Sequence, residues 1–313
     1  GISVNALAAP LVDELVDGAA RFRVGVREVA GSRIVDAGIE HPGGLEAGRL
    51  VAEICMGGLG RVSLQATPWF PRWPWCVQVA TSQPVVACLA SQYAGWSLSH
   101  KGEKRFHALG SGPARALAGK EALFEELGYA DEAARAVLVL ETDQIPPEAL
   151  VERIAEDCGV PAAGLTLVLT PTGSLAGVVQ IAARIVEVAL HKAHELGFPL
   201  EHVRDGLGST PLPPPIANGL TAMGRTNDTI LFGGSVHLFV SGGDDAAEAL
   251  ARDLPSSTSR DYGKPFEQVF RDYEFDFFKV DGMLFSPASV AVTEIGSGRT
   301  FHGGRLDETL LER

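Results

Sequence analysis

Four residues in one stretch have side chains able to do chemistry in otherwise apolar surroundings. In LAGVVQIAARIVEVALHKAHELGF, Gln180, Arg184, Glu187 and His191 recur at i, i+4, i+7 and i+11. At about 100° per residue, that spacing places them on one narrow stripe of a single helix. Every other position from Leu175 to Leu190 is Leu, Ala, Gly, Val or Ile. A helix apolar nearly all round belongs inside a protein, where a guanidinium and a carboxylate cost free energy unless they pair or line a wet cavity. Two readings fit. Arg184 and Glu187 form an internal ion pair at i, i+3, or the stripe is one wall of an active-site pocket. Glu187, His191 and His194 also share a face, which suggests the metal site of a hydrolase. Against a metal, the chain has no HExxH, and its remaining histidines are scattered singly.

The elements that must position this stripe are legible around it. LTLVLT, Leu165 to Thr170, has the composition of a buried strand. Pro171 to Ser174 breaks that strand and offers Thr172 or Ser174 as a helix cap. Upstream, RAVLVLE and PPEALVERIAEDCG complete a strand–helix–strand–helix alternation, the mark of an α/β layer. Asn5 to Arg21 has helical spacing. FRVGVREV and SRIVDAG predict a hairpin turning at Ala30-Gly31, and GLEAGRLVAEICMGGLG a helix whose glycines allow close approach of backbone. RVSLQA and WCVQVAT predict strands, and PVVACLASQYAGW a helix with proline at its first position.

Other candidates for ligand contact lie in turns. In HALGSGPARALAG, the Gly110-Ser111-Gly112 turn before a helix opened by Pro113 presents backbone N–H groups, with Arg115 close behind. That combination suits an anion, although a plain strand-to-helix connection has the same signature. GRTNDTILFGGSVHLFVSG predicts a hairpin at Gly233-Gly234 with Arg225, Asn227 and Asp228 at its mouth. DDAAEALARDL is an acidic surface helix, and SSTSRDYGKPFEQVF a polar loop carrying Lys264 into a further helix.

VREVAGSRIVDAG near the start and VTEIGSGRTFHGG near the end match at five positions in register. This echo predicts that residues 1–95 and 275–313 build one domain and 96–274 a second, both α/β, with a pocket between them. At 313 residues the chain is long enough for two domains. Its net charge of −13 argues against nucleic acid and anionic membranes as partners. Cys55, Cys76, Cys88 and Cys158 sit in apolar flanks without CxxC spacing, as in a reducing compartment. With no secretory leader and no run of about 18 apolar residues, the expected location is the cytoplasm. GxSxG, Walker and strand-linked GxGxxG motifs are absent.

QIAARIVE, EAGRLVAEICMGGLG, ALGSGPARAL, GRTND with the following ILFGG, and DYGKPF resemble the corresponding segments of methenyltetrahydromethanopterin cyclohydrolases. The likeness runs in order from SVNALAAPLV to FHGGRL. SQYAGWSL and EVALHKAH are more similar to the form found in methylotrophic bacteria than to the archaeal one. The resemblance implies opening of a cationic one-carbon bridge between two nitrogens of a reduced pterin to give the formyl derivative, without metal or organic cofactor. It implies two α/β domains, a homotrimer, and Arg184 and Glu187 as the catalytic pair. Gln180 and His191 then become candidates to orient water or substrate. The family's substrates carry a long tail that includes a phosphate, for which Ser111, Gly112, Arg115, Arg225 and Lys264 are the candidate contacts, with Asn227 and Asp228 as further candidates for binding the substrate. A non-catalytic pterin-binding or channelling protein would share the same pocket.

Overall fold

The first helix shows how local chemistry sets an element's ends. The Ser3 hydroxyl accepts from the Ala6 N–H at 3.2 Å and caps α1 (Val4–Asp17), and Gly18 separates it from α2 (Ala19–Phe22). Asn5, inside the helix, is buried. The computed structural model describes residues 1–311. After α2 come β1 (Gly25–Val29), β2 (Ser32–Asp36), α3 (Leu45–Cys55), β3 (Gly60–Ala66) and β4 (Trp75–Thr81). β5 (Trp96–Lys101), β6 (Arg105–Ser111), α4 (Ala114–Ala118), α5 (Leu123–Leu127), β7 (Ala136–Leu140), α6 (Glu148–Cys158) and β8 (Leu165–Leu169) follow. Then come α7 (Leu175–Ala182), α8 (Ile185–Glu195), β9 (Val203–Pro211), α9 (Gly219–Gly233), β10 (Ser235–Val240), α10 (Asp244–Asp253), α11 (Phe266–Asp272), β11 (Ser289–Glu294) and β12 (Thr300–Gly304).

The fold is α/β, built on two mixed six-stranded sheets in two units. The first unit comprises Gly1–Gly60 and Val86–Gln180, with strand order β1-β2-β8-β7-β6-β5. β7 and β8 are parallel neighbours and buried at every position, as expected for strands covered on both faces. Val137, Val139 and Val168 pack with α1 and α3, whereas Leu138, Leu140, Leu167 and Leu169 pack with α6. Close helix contact is possible because a Cβ at Gly48 of α3 would lie 2.8 Å from Val179 Cβ. The Ala30-Gly31 hairpin forms as expected, with both residues at positive φ. The proline-initiated segment Val85–Gln92 is a π-helix rather than an α-helix.

The second unit comprises Arg61–Val85 and the chain from Ile181 onward, with strand order β12-β11-β10-β9-β4-β3. A row of partners crosses it: Gly303, Val290, Val236, Gly208 and Val79. This row faces helices, since a Cβ at Gly303 would meet Ala251 of α10 and one at Gly208 would meet Ile185 of α8. α9, α11 and the segments around Phe70 and Val280 enclose a separate aromatic core that includes Phe232 and Phe266.

Two expectations differ from this arrangement. The matching end segments do not share a unit: β1–β2 joins β8 in the first sheet, and β11–β12 joins β10 in the second. In each case the hairpin pairs antiparallel within itself and parallel to the sheet, so the echo marks equivalent places in two sheets. Residues 312 and 313 of the expected 275–313 segment lie outside the described residues. Residues 224–242 are a helix followed by a strand, not a hairpin. The Gly233-Gly234 pair ends α9 with Gly234 at φ −76°, ψ 135°, an extended conformation that starts β10.

Candidate active site

The predicted single helix is two. Ala183 and Arg184 form a turn, and Arg184 occupies the cap position of α8 at φ −83°, ψ 8°. Its N–H donates to the Ile181 carbonyl at 3.0 Å, and its own carbonyl accepts from Val188 at 2.9 Å. The four-residue stripe therefore does not run along one continuous helix. Gln180 belongs to α7, where its amide donates to Thr170 Oγ1 at 3.2 Å. On α8, Arg184, Glu187 and His191 keep their i, i+3, i+7 relation, and Glu187 falls in the first turn. That is where aligned peptide dipoles favour negative charge. Glu187 is buried, and Arg184 and His191 are half-buried. Burial holds the His191 ring below its usual range; the Glu195 charge opposes this and His194 adds to it. His191 is thus neutral at pH 7.

What seats this first turn was missed from the sequence. Gly206, Gly208 and Gly234 leave room for it: added Cβ atoms would lie 2.9 Å from Val186 Cγ1, 2.3 Å from Ile185 Cγ2 and 2.4 Å from Ile185 Cδ1 respectively. Ile185 and Val186 thereby press directly on the backbone of β9 and of the β10 start, and Glu187 follows them in sequence. The signal was the spacing G-x-G in VRDGLGST, which leaves every second residue on one face of a strand without a side chain.

The expected anion turn is used otherwise. Ser111 is buried and its hydroxyl donates to the Gln92 carbonyl at 2.6 Å. The Gly112 N–H donates to Ser91 at 2.7 Å, and the Arg115 N–H donates back to Gly112 at 3.3 Å. Arg115 is fully buried. Its guanidinium forks onto Glu121 at 2.9 and 2.6 Å, donates to the Leu89 and Ser91 carbonyls at 3.1 and 2.9 Å, and lies 5.2 Å from both the Tyr93 and Phe124 ring centres. Arg115 therefore clamps the end of the π-helix instead of reaching for a phosphate. Its apparent place in a turn was misleading because the partner Glu121 lies beyond the short α4 helix.

Arg225, Asn227 and Asp228 lie on α9, not at a hairpin mouth. Arg225 donates to the Pro214 carbonyl at 3.2 Å, Asn227 to the Met223 carbonyl of its own helix at 2.9 Å, and Asp228 accepts from the Phe266 N–H at 2.7 Å. Arg225 and Asp228, one turn apart, line a cavity of about 440 Å³ with Trp73, Glu267, Gln268 and Arg271. Asn227 and Lys264 are not among its lining residues; Lys264 is half-exposed and paired with Asp272. A second cavity of about 450 Å³, on the sheet around Gln78, Ser209 and His237, is lined by none of the expected residues. Among the described residues, no three His, Cys, Asp or Glu side chains come together as a metal site, so Glu187, His191 and His194 do not form one.

Comparison with known proteins identifies the family. The model of a family described as Cyclohydrolase (MCH) matches residues 3–313. The chain is 59% identical over 312 residues to the methenyltetrahydromethanopterin cyclohydrolase of Methylobacillus flagellatus, covering 99% of this chain and 94% of that protein. It is 56% identical over 313 residues to the protein of that name from Xanthobacter autotrophicus, covering 100% and 92%. To the one from Methanocella arvoryzae it is 41% identical over 313 residues, covering 98% and 96%.

Proposed function

The chain belongs to the cyclohydrolase (MCH) family, and from that premise we propose how it works. It is a methenyltetrahydromethanopterin cyclohydrolase, acting in one-carbon metabolism on the methenyl form of the pterin or its dephospho counterpart. The substrate carbon is part of an amidinium: flat, electrophilic and positively charged. Water attacks that carbon, a C–O bond forms, and the water gives up a proton. The tetrahedral adduct then collapses: one C–N bond breaks, the freed nitrogen takes the bonding electron pair and the proton of the adduct hydroxyl as the C=O forms, and one proton is released overall. The product is the formyl derivative.

Glu187 is the residue we assign to the water proton, with Arg184 donating hydrogen bonds to the oxygen that becomes the formyl group. A carboxylate near the bridge also balances the substrate's positive charge. The observation that carries this assignment is the placement of both residues at the start of α8, with Glu187 buried in a turn pressed onto bare strand backbone. His191, on the same side of α8, orients water as a neutral ring. In the cavity on α9, Arg225 and Asp228, beside Glu267, Gln268 and Arg271, are offered to the outlying part of the substrate.

The reaction as written needs neither metal nor organic cofactor. We assign the chain a homotrimeric assembly in the cytoplasm, with a pterin as its small-molecule partner. Its net charge of −13 disfavours nucleic acid, and no helix among the described residues is long and apolar enough to cross a membrane. The deciding assay follows the absorbance of the methenyl substrate, before and after exhaustive chelation. The loss of absorbance should be proportional to enzyme and unchanged by the chelator. Stoichiometric binding without turnover would instead make the chain a carrier, and activity abolished by chelation and restored by one metal would overturn the metal-free mechanism. Sedimentation gives the assembly.

A further inference from the structure

α8 also carries a cation that the reaction does not use. Lys192, near the other end of the helix, is 2% exposed. Its ammonium donates to the Pro255 carbonyl at 3.0 Å, Thr258 Oγ1 at 2.9 Å and Ser286 Oγ at 3.2 Å. Three N–H donors thus meet three neutral oxygens. Both hydroxyls are already committed as donors to backbone carbonyls, Thr258 to Pro255 at 2.8 Å and Ser286 to Leu284 at 3.3 Å. Their lone pairs are left facing the ammonium. The site is built for the protonated amine: a neutral amine has two N–H groups and would turn its own lone pair toward an oxygen.

We propose that Lys192 is a positioning residue for the hydrolysis, a buried clamp that fixes α8 against the 255–258 and 284–286 segments and so holds Arg184 and Glu187 in register. Ile185 and Val186, packed on Gly206 and Gly208, fix the helix at one end, and Lys192 fixes it at the other. Helices are stiff along their axis, so a slip at Lys192 is delivered to the first turn. This inference rests on the assignment of Glu187 and Arg184 given above.

The clamp has a titration of its own. Burial pushes the ammonium down to about 8, against the opposing pull of Asp281 and Asp253. Asp253 is paired with Arg252 at 2.9 Å, and Asp281 accepts from Ser259 Oγ at 2.7 Å. The segments that supply the three oxygens, 255–258 and 284–286, carry no charged side chain. His191, His194 and Glu195 are the neighbouring titratable groups on α8 itself. Turnover should therefore fall as pH rises through about 8. Stability moves the opposite way. An unfolded lysine binds its proton up to its ordinary 10.5, so between about 8 and 10.5 the unfolded state holds more protons and this group makes the fold more stable as pH rises.

The test is a pH profile of kcat and KM, with melting curves, for the parent, Lys192→Met and Ser286→Ala. Methionine fills a similar volume, and the oxygens left behind retain other partners. The expected result is a folded Lys192→Met enzyme with kcat down about 10- to 100-fold, the cost of a misplacement near 1 Å, KM within about threefold, and no fall in kcat near pH 8. Ser286→Ala removes one acceptor from the charged form, so its fall in kcat should move to lower pH. If kcat of Lys192→Met stays within twofold of the parent, or the fall stays in place in Ser286→Ala, the proposal is overturned. Should Lys192→Met fail to fold, Ser286→Ala decides alone. Glu187→Gln separates the two claims: a near-parental rate there removes Glu187 from the chemistry without moving the fall assigned to Lys192.

Discussion

Gly208→Ala is the most direct probe of how the candidate site is held. The new Cβ would sit 2.3 Å from Ile185 Cγ2, 3.1 Å from Val186 Cγ2 and 3.4 Å from Ile185 Cβ. Ordinary contact begins at 3.4 Å, so Ile185 must retreat by about 1.1 Å. Cγ2 cannot swing aside alone, because a β-branched residue in a helix keeps one χ1 rotamer. The helix start moves instead, and with it Glu187 two residues on. Overpacking of this kind costs about 1–3 kcal/mol, reduced slightly because alanine restricts the unfolded chain. A displacement near 1 Å at the chemistry costs about 10²-fold in rate. At Gly206, where the nearest atom is Val186 Cγ1 at 2.9 Å, the same change needs only about half that retreat and should cost less. Ser209→Ala, one residue along β9 with its side chain on the other face, should be near neutral. The assay is kcat on the methenyl substrate beside a thermal melt. If Gly208→Ala lowers the melting temperature but leaves kcat within twofold, the position of α8 does not set the rate.

Further outcomes can be stated briefly. Glu187→Gln should lower kcat by about 10²–10⁴, the usual share of a positioned base, with the melt little changed; a near-parental rate would remove Glu187 from the chemistry. Arg115→Ala should cost about 3–5 kcal/mol by stranding Glu121 and the π-helix carbonyls, and should not distinguish tailed from truncated substrates. A raised KM for the tailed substrate alone, with an unchanged melt, would restore Arg115 as an anion contact. Burial pushes the Asp36 carboxyl up, but N–H groups of Gly38, Ile39, Glu40 and His41 outweigh it and hold the group below 3.8. The stabilisation from Asp36 is complete above that value and is lost as pH falls through the lower folded one. Asp36→Asn should therefore be less stable than the parent by about 1.5–3 kcal/mol at pH 7, with the gap closing below about pH 4. A gap that stays constant from pH 7 to 3 would refute the assignment.

Local pattern was enough for much of the protein. Runs of Ala, Val and Leu, broken only by Thr166, gave away β7 and β8, because strands covered on both faces need no polar side. Ala30-Gly31 announced its hairpin, since two residues with a glycine between strand-like runs leave room only for a tight reversal. The i, i+3, i+7 spacing picked out Arg184, Glu187 and His191, because three positions on one α-helix share a face whatever surrounds it. Other features were decided by tertiary contact. The break at Ala183-Arg184 has no proline, and the two matching hairpins join different sheets because strand partners are chosen by packing, not by the hairpin. The α9 helix ran through residues that suit a hairpin because its apolar face is buried with Phe266, and burial outweighs local preference. The burial of Arg115 and Lys192 was not legible in the sequence, for one shared reason. A charge is read as exposed until its partners are known, and those of Lys192 lie 63 to 94 residues further along the chain. The sequence records the cation, but only folding brings up the three oxygens that make burying it tolerable.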